Sequence, residues 1–171
     1  MKVNQHFGTL YFLLVIGQVI LCNYAQLGPY IILSMLPAMI FCIPTAVSTI
    51  SCMFIAFASG LAVDWLSEGI IGLNAAAALP AAFLRRGMIR IFLGEDLITR
   101  GDRFSFKKNG VGKISVALIL STAVFLTVYI LLDGAGTRPV WFNMTRLGVS
   151  LALNFLLGLI VTGILTPDDR K

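Results

Sequence analysis

Two carboxylates, Asp64 and Glu68, stand four residues apart at the end of a long uncharged run, a spacing that sets side chains on one helix face. A pair so placed could hold a metal ion or move a proton, but the other parts of such a site are missing. The single histidine, His6, is expected at the other membrane face from this pair. Cys22, Cys42 and Cys52 sit inside apolar runs without ligand or disulfide spacing. There is no phosphate loop, nucleophile elbow, HExxH pair or internal repeat. The residue types therefore offer no catalytic constellation, no metal site and no cofactor site.

Asp64 has a structural use that needs no second carboxylate. At the exit of one helix and just ahead of another, it is placed to accept from the free N–H groups that open the second helix and so to set the angle of a hairpin. Asn74, just inside that second helix, suits a hydrogen bond between helices in an apolar medium. Gln18, Asn143 and Asn154 are weaker cases of the same kind. The hairpin runs GLAVDWLSEGIIGLNAAAALPAAFLRR over 60–86, one helix ending near Val63 and the next starting near Ile70. Its alanines make a narrow face that lets a neighbouring backbone approach, chiefly for packing within the chain.

The elements that must carry these residues follow from composition. Of 171 residues, 58% are hydrophobic and 12% charged, against roughly 25% charged in soluble domains. Mean hydropathy is +0.91. So much apolar surface calls for lipid as its solvent. The length suits one compact domain over 1–171. Spans of about 20 apolar residues cross a hydrocarbon core of roughly 30 Å. They place helices at about 7–23, 29–43, 45–63, 69–84, 114–132 and 146–165. The first follows Lys2 like a signal peptide but has no small-x-small cleavage site, and is expected to be retained. Pro44 divides 25–63, which is too long for one helix; one span plus a re-entrant piece is the other arrangement. Pro37 and Pro80 are expected to kink their helices. The fold class is thus an all-α integral membrane protein with six transmembrane helices in a compact bundle.

Charge orients that bundle. Eight of the thirteen basic residues, Arg85, Arg86, Arg90, Arg100, Arg103, Lys107, Lys108 and Lys113, fall in 85–113. RRGMIRIFLGEDLI alternates Arg with apolar residues and is expected to lie along the headgroups, while TRGDRFSFKKNGVGK reads as a polar turn. Arg85, Arg86, Arg90, Lys107 and Lys108 are the residues expected to meet lipid and fix topology. Topology and anionic lipid explain this cluster better than nucleic acid, which is not expected as a partner. With six spans and cytoplasmic N- and C-termini, the basic loop stays inside; five spans would export it. DGAGTRPVWFNM forms the last external loop, with Trp141 at the interface.

The pattern Gly60-x-x-x-Asp64, then Gly72-Leu73-Asn74-Ala75, resembles the signature hairpin of the MreD family of bacterial rod shape-determining membrane proteins. FLLVIGQVILCN at 12–23, LGPYIILSMLP at 27–37 and AAFLRR at 81–86 resemble the family's first helix, second helix and exit from the fourth. The resemblance covers most of 12–86; beyond Lys113 only length and hydropathy agree. It implies a non-enzymatic inner-membrane scaffold of peptidoglycan elongation. Its partners would be an MreC-like protein and, through it, MreB, RodA and a penicillin-binding transpeptidase. Gly60, Asp64, Gly72, Asn74 and Ala75 would be the structural or partner residues. It also implies a fold resembling the substrate-binding (S) components of energy-coupling-factor vitamin transporters. Such a component is the alternative function, with Asp64 and Asn74 then facing a pocket. Against it, the first helix lacks the Ala-x-x-x-Ala coupling pattern those subunits often carry.

Overall fold

In the computed structural model the described residues are 5–25, 28–67, 70–95, 97, 110–134 and 137–166. They form six helices and no strand. These are α1 (Gln5–Tyr24), α2 (Leu36–Phe41), α3 (Thr49–Leu66), α4 (Leu73–Phe92), α5 (Val111–Gly134) and α6 (Val140–Leu165). Four of them, α1, α3, α5 and α6, are long and apolar enough to cross a membrane. Large side chains such as Phe12, Phe54, Phe83, Leu131 and Ile160 point outward from the long helices. In water that surface would be a liability; in lipid it is ordinary.

The short helix α2 is the centre. All six of its residues are buried, and it touches each of the other five helices. Leu36, Met39, Ile40 and Phe41 are sealed there with Leu118, Phe125 and Leu126 of α5. Pro37 stands at the start of α2, where its missing N–H costs nothing. Around this hub α3 packs on α4, α4 on α5 and α5 on α6, while α1 lies against α3, α2 and α6.

The helix expected over 29–43 is therefore only Leu36–Phe41. Residues 31–34 are not helical, and burial alternates along them, with Ile32 and Ser34 inward. Gly28, at φ +101°, and Pro29 turn the chain into this stretch. The whole segment runs beside α6 in the same direction. Tyr30 meets Phe142, with ring centroids 4.8 Å apart. Ile32 meets Ser150, Ser34 meets Asn154, and Cys42 meets Thr162. Over that interval α6 advances about 30 Å at 1.5 Å per residue. Tyr30 to Cys42 covers the same distance in fewer residues because part of it is extended.

The other boundaries shift for local reasons. Ser48 caps α3, its Oγ accepting from Ser51 N at 3.2 Å, so that helix begins at Thr49 rather than 45. Helix α4 passes through Pro80 and continues to Phe92, beyond the expected end at 84. Residues 85–92 are thus its last turns, not a separate helix lying along the headgroups. Helix α6 begins at Val140, directly after Pro139, which puts Trp141 in its first turn and Arg146 well inside it.

Candidate functional site

Three groups of polar side chains work inside this apolar bundle. The first is the α3–α4 hairpin. Asp64, on the last turn of α3, is 2% exposed and faces the start of α4. Its Oδ2 accepts from Gly72 N at 3.0 Å and Ala75 N at 3.1 Å. Its Oδ1 accepts from Asn74 N at 3.1 Å and Asn74 Nδ2 at 2.8 Å. One carboxylate therefore takes up three of the N–H groups that a helix start leaves open, and the positive end of the α4 dipole faces its charge. Gly72 sits at φ +93°, a left-handed conformation that a side chain would strain.

A turn further back on α3, Gly60 lies directly against the α4 backbone. A Cβ there would stand 2.6 Å from Ala75 Cα and 2.7 Å from Ala75 N. Any side chain at 60 must push the helices apart. Gly60, Asp64, Gly72, Asn74 and Ala75 thus converge on one contact. Glu68, which shares the Asp64 face by spacing, lies outside the described residues, as do the side chain of His6 and residues Lys107 and Lys108. Among the described residues no group of His, Cys, Asp and Glu could hold a metal ion.

The second group holds the irregular segment. Met35 N donates to Gln18 Oε1 at 2.6 Å, and Gln18 Nε2 donates to Leu33 O at 3.2 Å. Ile32 N donates to Ser150 Oγ at 2.9 Å. Ser34 N donates to Asn154 Oδ1 at 2.6 Å, and Asn154 Nδ2 returns to Ile32 O at 2.5 Å. At the other end Arg85 donates through Nε to Phe41 O at 3.0 Å and through Nη2 to Ile43 O. Side chains from α1, α4 and α6 thus stand in for the helix bonds that the segment lacks. Irregular backbone in an apolar surround is tolerated only when so enclosed.

Arg85 was expected among the residues that meet lipid and set topology. It is instead 4% exposed, its guanidinium drawn inward by carbonyls at the end of α2. Arg86 and Arg90 on the same turns are exposed, and Arg90 pairs with Glu95 at 2.6 Å.

The third group borders a cavity of about 500 Å³ at the hairpin end of the bundle. Its walls come from the end of α1, residues 28–33, the hairpin, Tyr129 of α5 and Arg146 of α6. Asp64 and Asn74 reach this cavity as well as each other. Behind Arg146, Asp133 Oδ2 accepts from Arg146 Nη1 at 2.5 Å and from Arg138 Nη1 at 2.9 Å. No motif in the sequence marks Ser150, Arg146 or Asp133. Arg146 could have been noticed as the one cation within the last hydrophobic run. Of the amides singled out, Gln18 and Asn154 hold the irregular segment, whereas Asn143 Oδ1 is buried without a partner among the described residues.

Compared with family models, curated proteins and solved structures, the chain finds no match. Fold and site together define an all-helical membrane protein built around the short buried helix α2 and the non-helical stretch that leads into it.

Proposed function

We propose that this chain is a non-enzymatic membrane scaffold of the MreD kind, a component of the peptidoglycan elongation machinery that controls cell shape. The observation supporting it is that the residues carrying the resemblance, Gly60, Asp64, Gly72, Asn74 and Ala75, converge on one locked helix contact. Residues committed to rigid packing suit a protein that holds partners. On this reading it works in the bacterial inner membrane, contacting an MreC-like protein and, through it, MreB, RodA and a penicillin-binding transpeptidase. Depleting it rounds the cells, and crosslinking in membranes recovers the MreC-like partner. Normal rods after depletion would end this reading.

The same proposal carries six membrane crossings with both termini cytoplasmic. To the four apolar helices it adds α4, 20 residues or about 30 Å long, and the 28–48 segment running beside α6. Phosphatase fused after residue 66 or 136 is then active and after 105 inactive; activity at 105 would remove the six-crossing arrangement.

A second reading, the S component of an energy-coupling-factor transporter, is favoured by the cavity that Asp64 and Asn74 border. Purification of the tagged chain in mild detergent separates the two. Cell-wall partners follow a scaffold, whereas an ATPase module and loss of vitamin uptake follow a transporter subunit.

A further inference from the structure

We propose that the cavity at the hairpin end binds an amphipathic anion, a molecule with an apolar body and a carboxylate or phosphate group, anchored by Arg146. The inference rests on the charges around the cavity and on its lining; it is independent of the scaffold reading and concerns the same cavity as the transporter reading.

Two charged side chains border the cavity, and they differ in how far they are compensated. Asp64 has both oxygens occupied by four N–H donors, so it is already satisfied. Arg146 is not. It shares the single carboxylate of Asp133 with Arg138, so two guanidinium charges meet one negative charge. Arg146 is 9% exposed, and its hydrogen bonds among the described residues end at Nη1. Its Nε–H is enclosed and meets no acceptor among the described residues. With Nη1 on Asp133 and Nε closed off, Nη2 is the nitrogen left for an anion in the cavity, and a charge-assisted hydrogen bond to a carboxylate or phosphate is a strong one. A buried cation left with half its pairing is costly, and an incoming anion relieves that cost. Ser121 and Asn143 also carry unpartnered buried oxygens, but neither lines the cavity.

The remaining walls are mixed: Asn23, Ser67 and Tyr129 are polar, while a group of aliphatic side chains suits an apolar body. Leu21, Ile31, Leu33, Ile70 and Leu73 line the cavity, and its volume of about 500 Å³ is that of a small-molecule site. A lipid headgroup and a free amphipathic acid share this chemistry.

The test uses the full chain in phosphatidylcholine nanodiscs and measures equilibrium binding of radiolabelled dodecanoate, with empty nanodiscs subtracted. One saturable site is expected, from which dodecyl phosphate displaces the label at least tenfold better than dodecanol does. Arg146→Lys, which keeps the charge but has one nitrogen to share between Asp133 and the anion, should weaken binding about tenfold. Ala25→Trp fills the cavity from its half-buried wall, leaves Arg146 and Asp133 in place, and should abolish binding. Including phosphatidylglycerol identifies the source. Competition points to a lipid headgroup, its absence to a free acid, and both support an anion site. Absence of saturable binding, equal displacement by dodecanol, or undiminished binding in Ala25→Trp would each overturn the proposal.

Discussion

The α3–α4 hairpin and the 28–48 segment face the same difficulty: backbone N–H and C=O groups without regular partners in an apolar surround. The hairpin resolves it locally. Asp64 reaches forward only to Gly72, Asn74 and Ala75, and Gly60 brings the two backbones together. The irregular segment resolves it at long range, borrowing Gln18 from α1, Arg85 from α4, and Ser150 and Asn154 from α6. A carboxylate is strong enough to serve four donors from one position. Neutral amides and hydroxyls each serve only one or two groups of the segment, so several helices must contribute.

The difference predicts an order of sensitivity. The largest loss is expected for Arg85→Met, which leaves Phe41 O and Ile43 O buried without these donors, at about 1–3 kcal/mol for each group. Asn154→Leu exposes Ser34 N and Ile32 O to the same penalty. Unfolding in mixed detergent with increasing dodecyl sulfate measures both; a midpoint unchanged in either variant would mean that the segment holds itself. Gly60→Ala should cost about 1–3 kcal/mol by overpacking and should shorten crosslinking across the hairpin only if α4 slides rather than separates. Asp64→Asn keeps the shape but turns an NH₂ group toward backbone donors, for a loss of about 1–3 kcal/mol. Full stability there would show that the charge is dispensable. The smallest effect belongs to Arg90→Ala, whose exposed pair with Glu95 is worth under about 1 kcal/mol. If Arg90→Ala rivalled Arg85→Met, burial would not be what distinguishes the two arginines.

The hairpin was legible because its parts are close in sequence. Aspartate at a helix exit, glycine before the next helix and alanines within it are local signals. The segment was not legible, since 29–43 is as apolar as any span and its hydropathy reads as helix. Nothing within it shows that Ser150 and Asn154, more than a hundred residues away, accept or donate in place of helix bonds. Arg85 misled for the same reason. Next to Arg86 and Arg90 it looks like a headgroup contact, and only the turn of α4 separates it from them. The cavity was anticipated only through Asp64 and Asn74; Arg146 joined it because α6 starts at Val140.

What the sequence alone determined is the medium and the class. An apolar content of 58% with few charges demands lipid, and lipid demands helices wherever backbone would otherwise be bare. What only the tertiary structure decided is where that rule is suspended. Backbone can leave the helix at 31–34 because side chains from α1 and α6 meet it there. A partner supplied from elsewhere in the chain is a property of the packed bundle, not of the segment.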